Sequence, residues 1–302
     1  MSKNETVRFK FLLILALLFF PSCRFAHVQS NVNNVSFDLI YKFSLTGKTS
    51  KIKFISLIPK TLKNRQVILD VDYSAAPSKL YDVDGDRYAE FVFLNPKDDF
   101  EIKISVKVQL IRYDLDTALK TSKTTNEVIP AKYLAGEKYL EKNNPAILEV
   151  SKGITGKTQI HTIENIYYYV LENMEYAGYN PADLGAAKAL KLGKGDCSEF
   201  TDLLVALCRA KGIPARSVIG YNIECENTPK HAWAEIYVKG CGWVPFDPML
   251  GELWMVSFER LSPEYIYLSN VRNNKVLNNH HYYTYRYWGN PVKVTDSFLM
   301  KQ

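Results

Sequence analysis

The chain has 302 residues, more than one hydrophobic core usually serves, so one large or two medium domains are expected. Hydrophobic residues make up 47% and charged residues 23%, which excludes a chain disordered over most of its length. The net charge of +6 is mild and its basic residues are scattered, which gives nucleic-acid binding no support.

At the N-terminus, Lys3, Arg8 and Lys10 precede the apolar run Phe11 to Phe20, then Pro21-Ser22-Cys23. A basic segment before a short apolar one reads as an export signal. Ten apolar residues make a helix of about 15 Å, half the hydrocarbon core, so a permanent span is disfavoured. Ser22-Cys23 resembles the lipobox of bacterial lipoproteins, in which the Cys is lipidated and tethers the mature chain to a membrane. The competing reading is cleavage after Val28-Gln29-Ser30. Loss of Lys3, Glu5, Arg8 and Lys10 with the signal takes the net charge from +6 to +4.

The organisation expected is a signal over 1–23, a polar tether over 24–35 and a β-sandwich over 36–120. A second core over 131–260 and an extension over 261–302 follow. Phe37 to Phe43, Lys51 to Phe54 and Val67 to Val71 alternate polar and apolar, and Tyr88 to Leu94 adds a strand-like run. Ile102, Ile104, Val106, Val108 and Leu110 share one face. Period-2 strands between turn signals predict an antiparallel sandwich. The excess of Tyr, 20 against 4 Trp, suits half-buried sheet surfaces. Asp82-Val83-Asp84-Gly85-Asp86 has two readings. Alternating aspartates can ligate calcium, as in an adhesion module, but the fragment lacks the rest of an EF-hand loop. Asp-Gly between strands is a hairpin turn, the favoured reading.

Helical patterning begins near Ala131, through Tyr133, Leu134 and Leu140. It is clearest from Ile160 to Met174, where Ile163, Ile166, Tyr167 and Val170 recur at helical spacing. A further helix opens at Gly195-Asp196-Cys197-Ser198-Glu199, with Asp196 as N-cap and Glu199 completing a capping-box pair. Its buried stripe is Phe200, Leu203, Leu204, Leu207 and Cys208, and Gly212 and Pro214 end it. Cys197 lies on the stripe's face in the first turn, where unpaired N–H groups and the helix dipole stabilise a thiolate. Cys208 belongs to the core. Three strands follow: Ala215 to Glu224, His231 to Val238 and Trp243 to Asp247. A turn centred near Lys239 would set His231 opposite Asp247, and one centred a residue later would set Trp233 there. In either register a carboxylate reaches the imidazole and fixes its tautomer. His27, His161, His280 and His281 have no such partner by hairpin geometry. A Cys225–Cys241 disulfide is disfavoured, because the intervening strand would hold the two about 25 Å apart. Tyr282 to Tyr287 alternates and predicts an added edge strand.

Gly195-Asp196-Cys197, Leu207 to Arg216, Gly220-Tyr221, His231-Ala232-Trp233 and Gly242 to Pro248 together resemble the core of the transglutaminase-like superfamily in its bacterial form. The resemblance implies an α+β fold: an antiparallel β-sandwich, then a papain-like core with the Cys-bearing helix packed on an antiparallel sheet. It implies a triad of Cys197, His231 and Asp247, with no metal and no organic cofactor. Trp233 and Trp243 are candidates for the substrate channel or the core, and Tyr176 and Tyr179 for the second oxyanion donor. The implied activity is an exported, periplasmic or cell-surface cysteine-dependent acyl transfer on protein or peptide substrates, hydrolysis being favoured over cross-linking. The alternative is a binding or scaffold protein that keeps the fold without the catalysis. Oligomeric state is not legible.

Overall fold

The computed structural model describes residues 31–122, 128–225, 229–253 and 255–301. The expected signal segment and Cys23, with its expected lipidation or the rival cleavage site, lie outside the described residues. Six strands come first: β1 (Val32–Leu45), β2 (Thr49–Ile58), β3 (Gln66–Tyr73), β4 (Lys79–Val83), β5 (Asp86–Leu94) and β6 (Phe100–Ile111). β1 begins at Val32, inside the stretch expected to be tether, because Val32 to Val35 already pair with Ile111 to Val108. Alternation is borne out along β1, where Phe37, Leu39, Tyr41 and Phe43 are buried, and along β6, where Ile102 to Leu110 supply the opposing face.

β7 (Tyr113–Asp114), α1 (Leu115–Lys120), a 3-10 turn (Ala131–Tyr133), α2 (Pro145–Gly153) and α3 (Gln159–Asn173) come next. The helical reading near Ala131 shrinks to that single turn. The full helix starts later, where Asn144 caps Ala146 N and Pro145 takes the first helical position. Then follow β8 (Glu175–Tyr176), α4 (Ala186–Leu192), β9 (Lys194–Gly195), α5 (Cys197–Ala210), β10 (Ala215–Asn222), β11 (Lys230–Val238), β12 (Gly242–Phe246), α6 (Pro248–Glu252), β13 (Arg260–Leu261), β14 (Tyr265–Ser269), β15 (Tyr283–Gly289) and β16 (Val292–Met300).

The sandwich has sheets ordered β16-β1-β6-β3 and β15-β2-β5-β4. Its outer strands β15 and β16 come from the C-terminal stretch, so the layer is closed by both ends of the described chain. The Asp84-Gly85 hairpin joins β4 to β5, with φ of +53° and +88°, the mirror-image turn that matches strand twist. Among the described residues, no helix is long and apolar enough to cross a membrane.

The second layer is an α+β core. Helix α5 packs on the antiparallel sheet β12-β11-β10-β14 and is buried along nearly its whole length. Two sandwich side chains fix this sheet. The Gln66 amide donates to Tyr267 O at 2.9 Å and accepts from Tyr267 N at 2.8 Å, standing in for a strand neighbour along the edge of β14. The Arg65 guanidinium donates to Trp243 O and faces Glu235, which also takes Arg216 from the neighbouring strand β10. Buried charges are thus paired across the layers.

Candidate active site

Cys197 is the first residue of α5. Asp196 caps the helix by accepting from Ser198 N at 2.8 Å, while Glu199 reaches back to Asp196 N at 3.1 Å, completing the capping box. The free oxygens of both carboxylates hold the preceding loop: Asp196 takes Asn180 N at 3.0 Å and Glu199 takes Leu184 N at 2.9 Å. Burial, followed by the neighbouring charge of Asp196, pushes the Glu199 carboxyl up to about 7 against the pull of its N–H donors. Cys197 is partly exposed; Cys208 is fully buried, as its place in the stripe requires. Cys225 and Cys241 are also free thiols.

The hairpin adopts the second of the two registers. Ala234 pairs with Phe246, Glu235 with Pro245 and Val238 with Gly242, so the turn centres on Gly240, whose φ is +86°. Asp247, the residue after β12, therefore meets His231 diagonally, as neighbours on one sheet face can. His231 Nε2 lies 2.5 Å from Asp247 Oδ2, and both side chains are buried. With Nε2 taken, Nδ1 is the nitrogen left to face the Cys197 thiol, and the nearness of Cys197 adds to the proton affinity of the ring. Burial alone would lower the proton affinity of His231. The charge of Asp247, the hydrogen bond its carboxylate accepts from Nε2 and the nearness of Cys197 outweigh it and raise the imidazole well above its ordinary range.

Asp247 is held in turn. It is the N-cap of α6, and its Oδ1 accepts from Leu250 N at 3.0 Å. The Tyr265 hydroxyl donates to Oδ2 at 2.8 Å, and the Tyr167 hydroxyl donates to the Asp247 carbonyl at 3.1 Å. The Tyr265 contact was not foreseen from the sequence, because β14 reaches the site only through its pairing with β10.

The three side chains of the expected triad are thus brought together. The four remaining candidates divide. Trp233 is fully buried between Tyr265 and Tyr267, with ring centroids at 5.1 and 4.8 Å, so it fills the core and lines no open channel. Trp243 starts β12, four residues from Asp247, and packs against Tyr133, Tyr237 and Arg216. At about 3.3 Å per residue, that puts it roughly 13 Å along the strand from the carboxylate, away from the nucleophile. Tyr176 pairs with Gly195, two residues before Cys197, and burial, then the charge of Cys197, raise its phenol. Tyr179 is 76% exposed on the following loop. These two stay on the nucleophile's side. Tyr282 joins them from the C-terminal stretch, its hydroxyl donating to Gly220 O at 2.9 Å.

Residues 148–248, which span Cys197, His231 and Asp247, match the family model of the transglutaminase-like superfamily. The chain carries a transglutaminase-like core. A solved structure of a candidate cysteine protease from Cytophaga hutchinsonii superposes with a TM-score of 0.62 at 18% identity, over 89% of this chain and 90% of that one. At that identity the likeness speaks for the fold, including the sandwich before the core. An uncharacterized protein of Haemophilus influenzae is 23% identical over 281 residues, 78% of this chain and 76% of that protein. The uncharacterized protein YebA of Bacillus subtilis is 32% identical over 101 residues, 29% of this chain but only 14% of YebA.

Proposed function

We propose that the transglutaminase-like core is a cysteine-dependent acyl-transfer site acting on peptide or carboxamide bonds through a thioester, in an exported protein. The observation that supports this most is one imidazole held between the Cys197 thiol and the buried Asp247 carboxylate. Two acid–base groups whose surroundings favour a charged ring are what a thiol nucleophile needs. In the proposed step the thiol proton passes to His231 and Sγ bonds to the carbonyl carbon. The C–N bond then breaks as His231 returns the proton to the leaving amine. Water then attacks the thioester, releasing a carboxylic acid and restoring the thiol; a lysine amine in its place gives a cross-link. Hydrolysis is the favoured outcome, on the resemblance to bacterial members of the family. Localisation at the periplasm or cell surface, with a tether through lipidated Cys23, is part of the proposal and rests on the leader sequence.

The test is iodoacetamide labelling of the purified chain, followed by casein hydrolysis and dansylcadaverine incorporation into casein. Fast labelling at neutral pH should fall on Cys197 and disappear in Cys197→Ala, with Cys208 silent because it is buried and Cys225 and Cys241, whose thiols burial pushes up, slow. Turnover that persists in Cys197→Ala would remove the mechanism, and the ratio of hydrolysis to incorporation decides between water and amine as acceptor.

A further inference from the structure

Tyr265 and His231 converge on one oxygen: the phenol donates to Asp247 Oδ2 at 2.8 Å and the imidazole Nε2 meets it at 2.5 Å. Tyr265 lies on β14, outside the segment that matches the family. Its place depends on a close backbone approach. A Cβ at Gly220 of β10 would stand 1.9 Å from Ile266 O, so only glycine lets β14 pack where Tyr265 reaches the carboxylate. The ring itself packs against Trp233 at 5.1 Å and His231 at 6.1 Å between centroids, and a phenylalanine would fill the same space. The hydroxyl adds only one thing, a second donor on the oxygen that grips the imidazole.

We infer that Tyr265 is a positioning residue of the proposed reaction, which holds Asp247 in line and moderates its grip on the His231 imidazolium. The inference rests on the acyl-transfer reading above. An oxygen that serves two donors gives less of its charge to each. With the phenol removed, Oδ2 turns wholly to the imidazole, the imidazolium is stabilised, and its proton is released less readily to a leaving amine. The other groups around the ring are Cys197 from α5, Cys225 from the loop after β10 and Tyr282 from the C-terminal stretch, and none of them donates to Oδ2. Tyr265 itself faces Asp247, Glu264 and Cys225. Removing its hydroxyl therefore acts on His231 through Asp247.

The experiment is Tyr265→Phe, read by ring-15N NMR titration of His231, assigned with His231→Gln, and by the pH dependence of iodoacetamide alkylation at Cys197. In the variant the imidazole should hold its proton roughly threefold or more tightly, about half of what one hydrogen bond is worth. The high-pH limb of alkylation should move upward by the same factor. Replacing Tyr265 with 3-fluorotyrosine, a more acidic donor of the same shape, should move both readouts the other way. An unmoved or opposite His231 titration overturns the assignment, as does slower alkylation with no displacement of the limb, which is what a purely structural role produces. Wild-type protein whose Cys197 is not alkylated at neutral pH would remove the acyl-transfer reading and this assignment with it. Wild-type behaviour as an ion pair with no change in Tyr265→Phe removes the role of Tyr265 alone.

Discussion

Asp247→Asn isolates the carboxylate charge while keeping the size of the side chain. Asp247 is fully buried, its Oδ2 lies 2.5 Å from His231 Nε2, and the ring is buried too. Burial works against a charged imidazole, and Asp247 supplies the opposing attraction. With an amide in its place burial prevails, and the proton affinity of His231 falls below the ordinary histidine range. Removing one partner of a buried ion pair costs about 3–5 kcal/mol. At about 1.4 kcal/mol per tenfold, alkylation of Cys197 at pH 7 should slow by about 10²–10⁴. The effect on stability has a definite sign. An imidazole raised above its unfolded value contributes stability that is complete below about pH 6.5 and is lost as pH rises through the raised folded value. The variant lacks that contribution, so the gap between wild type and variant in urea should be widest below about pH 6.5 and narrow at alkaline pH. The assays are alkylation rates from pH 5 to 10 and urea unfolding at three pH values. Equal rates and parallel stability profiles would show that the two groups are not coupled as argued.

Arg272→Met should destabilise the fold by about 3–5 kcal/mol in urea at pH 8, because Arg272 is the bidentate partner of the wholly buried Asp202 at 2.8 and 2.9 Å. Burial, opposed by Arg272, already pushes the Asp202 carboxyl up to about 6, and without Arg272 it rises further, so the deficit should shrink as the pH falls from 8 toward 6, because a protonated Asp202 needs no counter-charge. Gly85→Ala should cost about 1–2 kcal/mol, a melting point lower by several degrees, since φ there is +88° and a Cβ meets only the flexible end of Lys60. Gly153→Ala, at the end of α2 with nothing within 4 Å of the new Cβ, should leave the melting point unchanged or raise it.

The parts of this structure legible in its sequence are those specified by near neighbours. The alternation in β1 and β6, the capped start of α5 and the Asp84-Gly85 turn each follow from residues a few positions apart. So did the meeting of His231 with Asp247, because a hairpin brings its own ends together, although the two candidate registers could not be separated without the turn's backbone. The Asn144-Pro145 pair was a usable signal for α2 that the apolar pattern around Leu134 and Leu140 obscured. What the sequence did not reveal depends on distant partners. Period 2 in Tyr282 to Tyr287 identifies a strand but not its partner β2, more than 220 residues earlier. The Gln66 amide on Tyr267 and the Tyr265 phenol on Asp247 depend on how β14 is packed, and alternation in β14 does not encode that packing.

The charges on α5 show how such distant partners serve the site. A helix buried along nearly its whole length has little reason to carry Glu199, Asp202 and Arg209 for solubility, and each is buried. Glu199 ties the loop before α4 through Leu184 N, Asp202 takes Arg272 from the stretch after β14, and Arg209 holds Ala135 O and Ala215 O. Unpaired, any one of them would cost more than the apolar residue it displaces. Paired, they fasten the same helix to four different segments, which apolar contacts alone would leave free to slide. Cys197 sits at the end of that helix, and the productive geometry of a thiol and an imidazole tolerates only about half an ångström of play. The buried charges therefore act on the proposed chemistry by fixing where the helix begins.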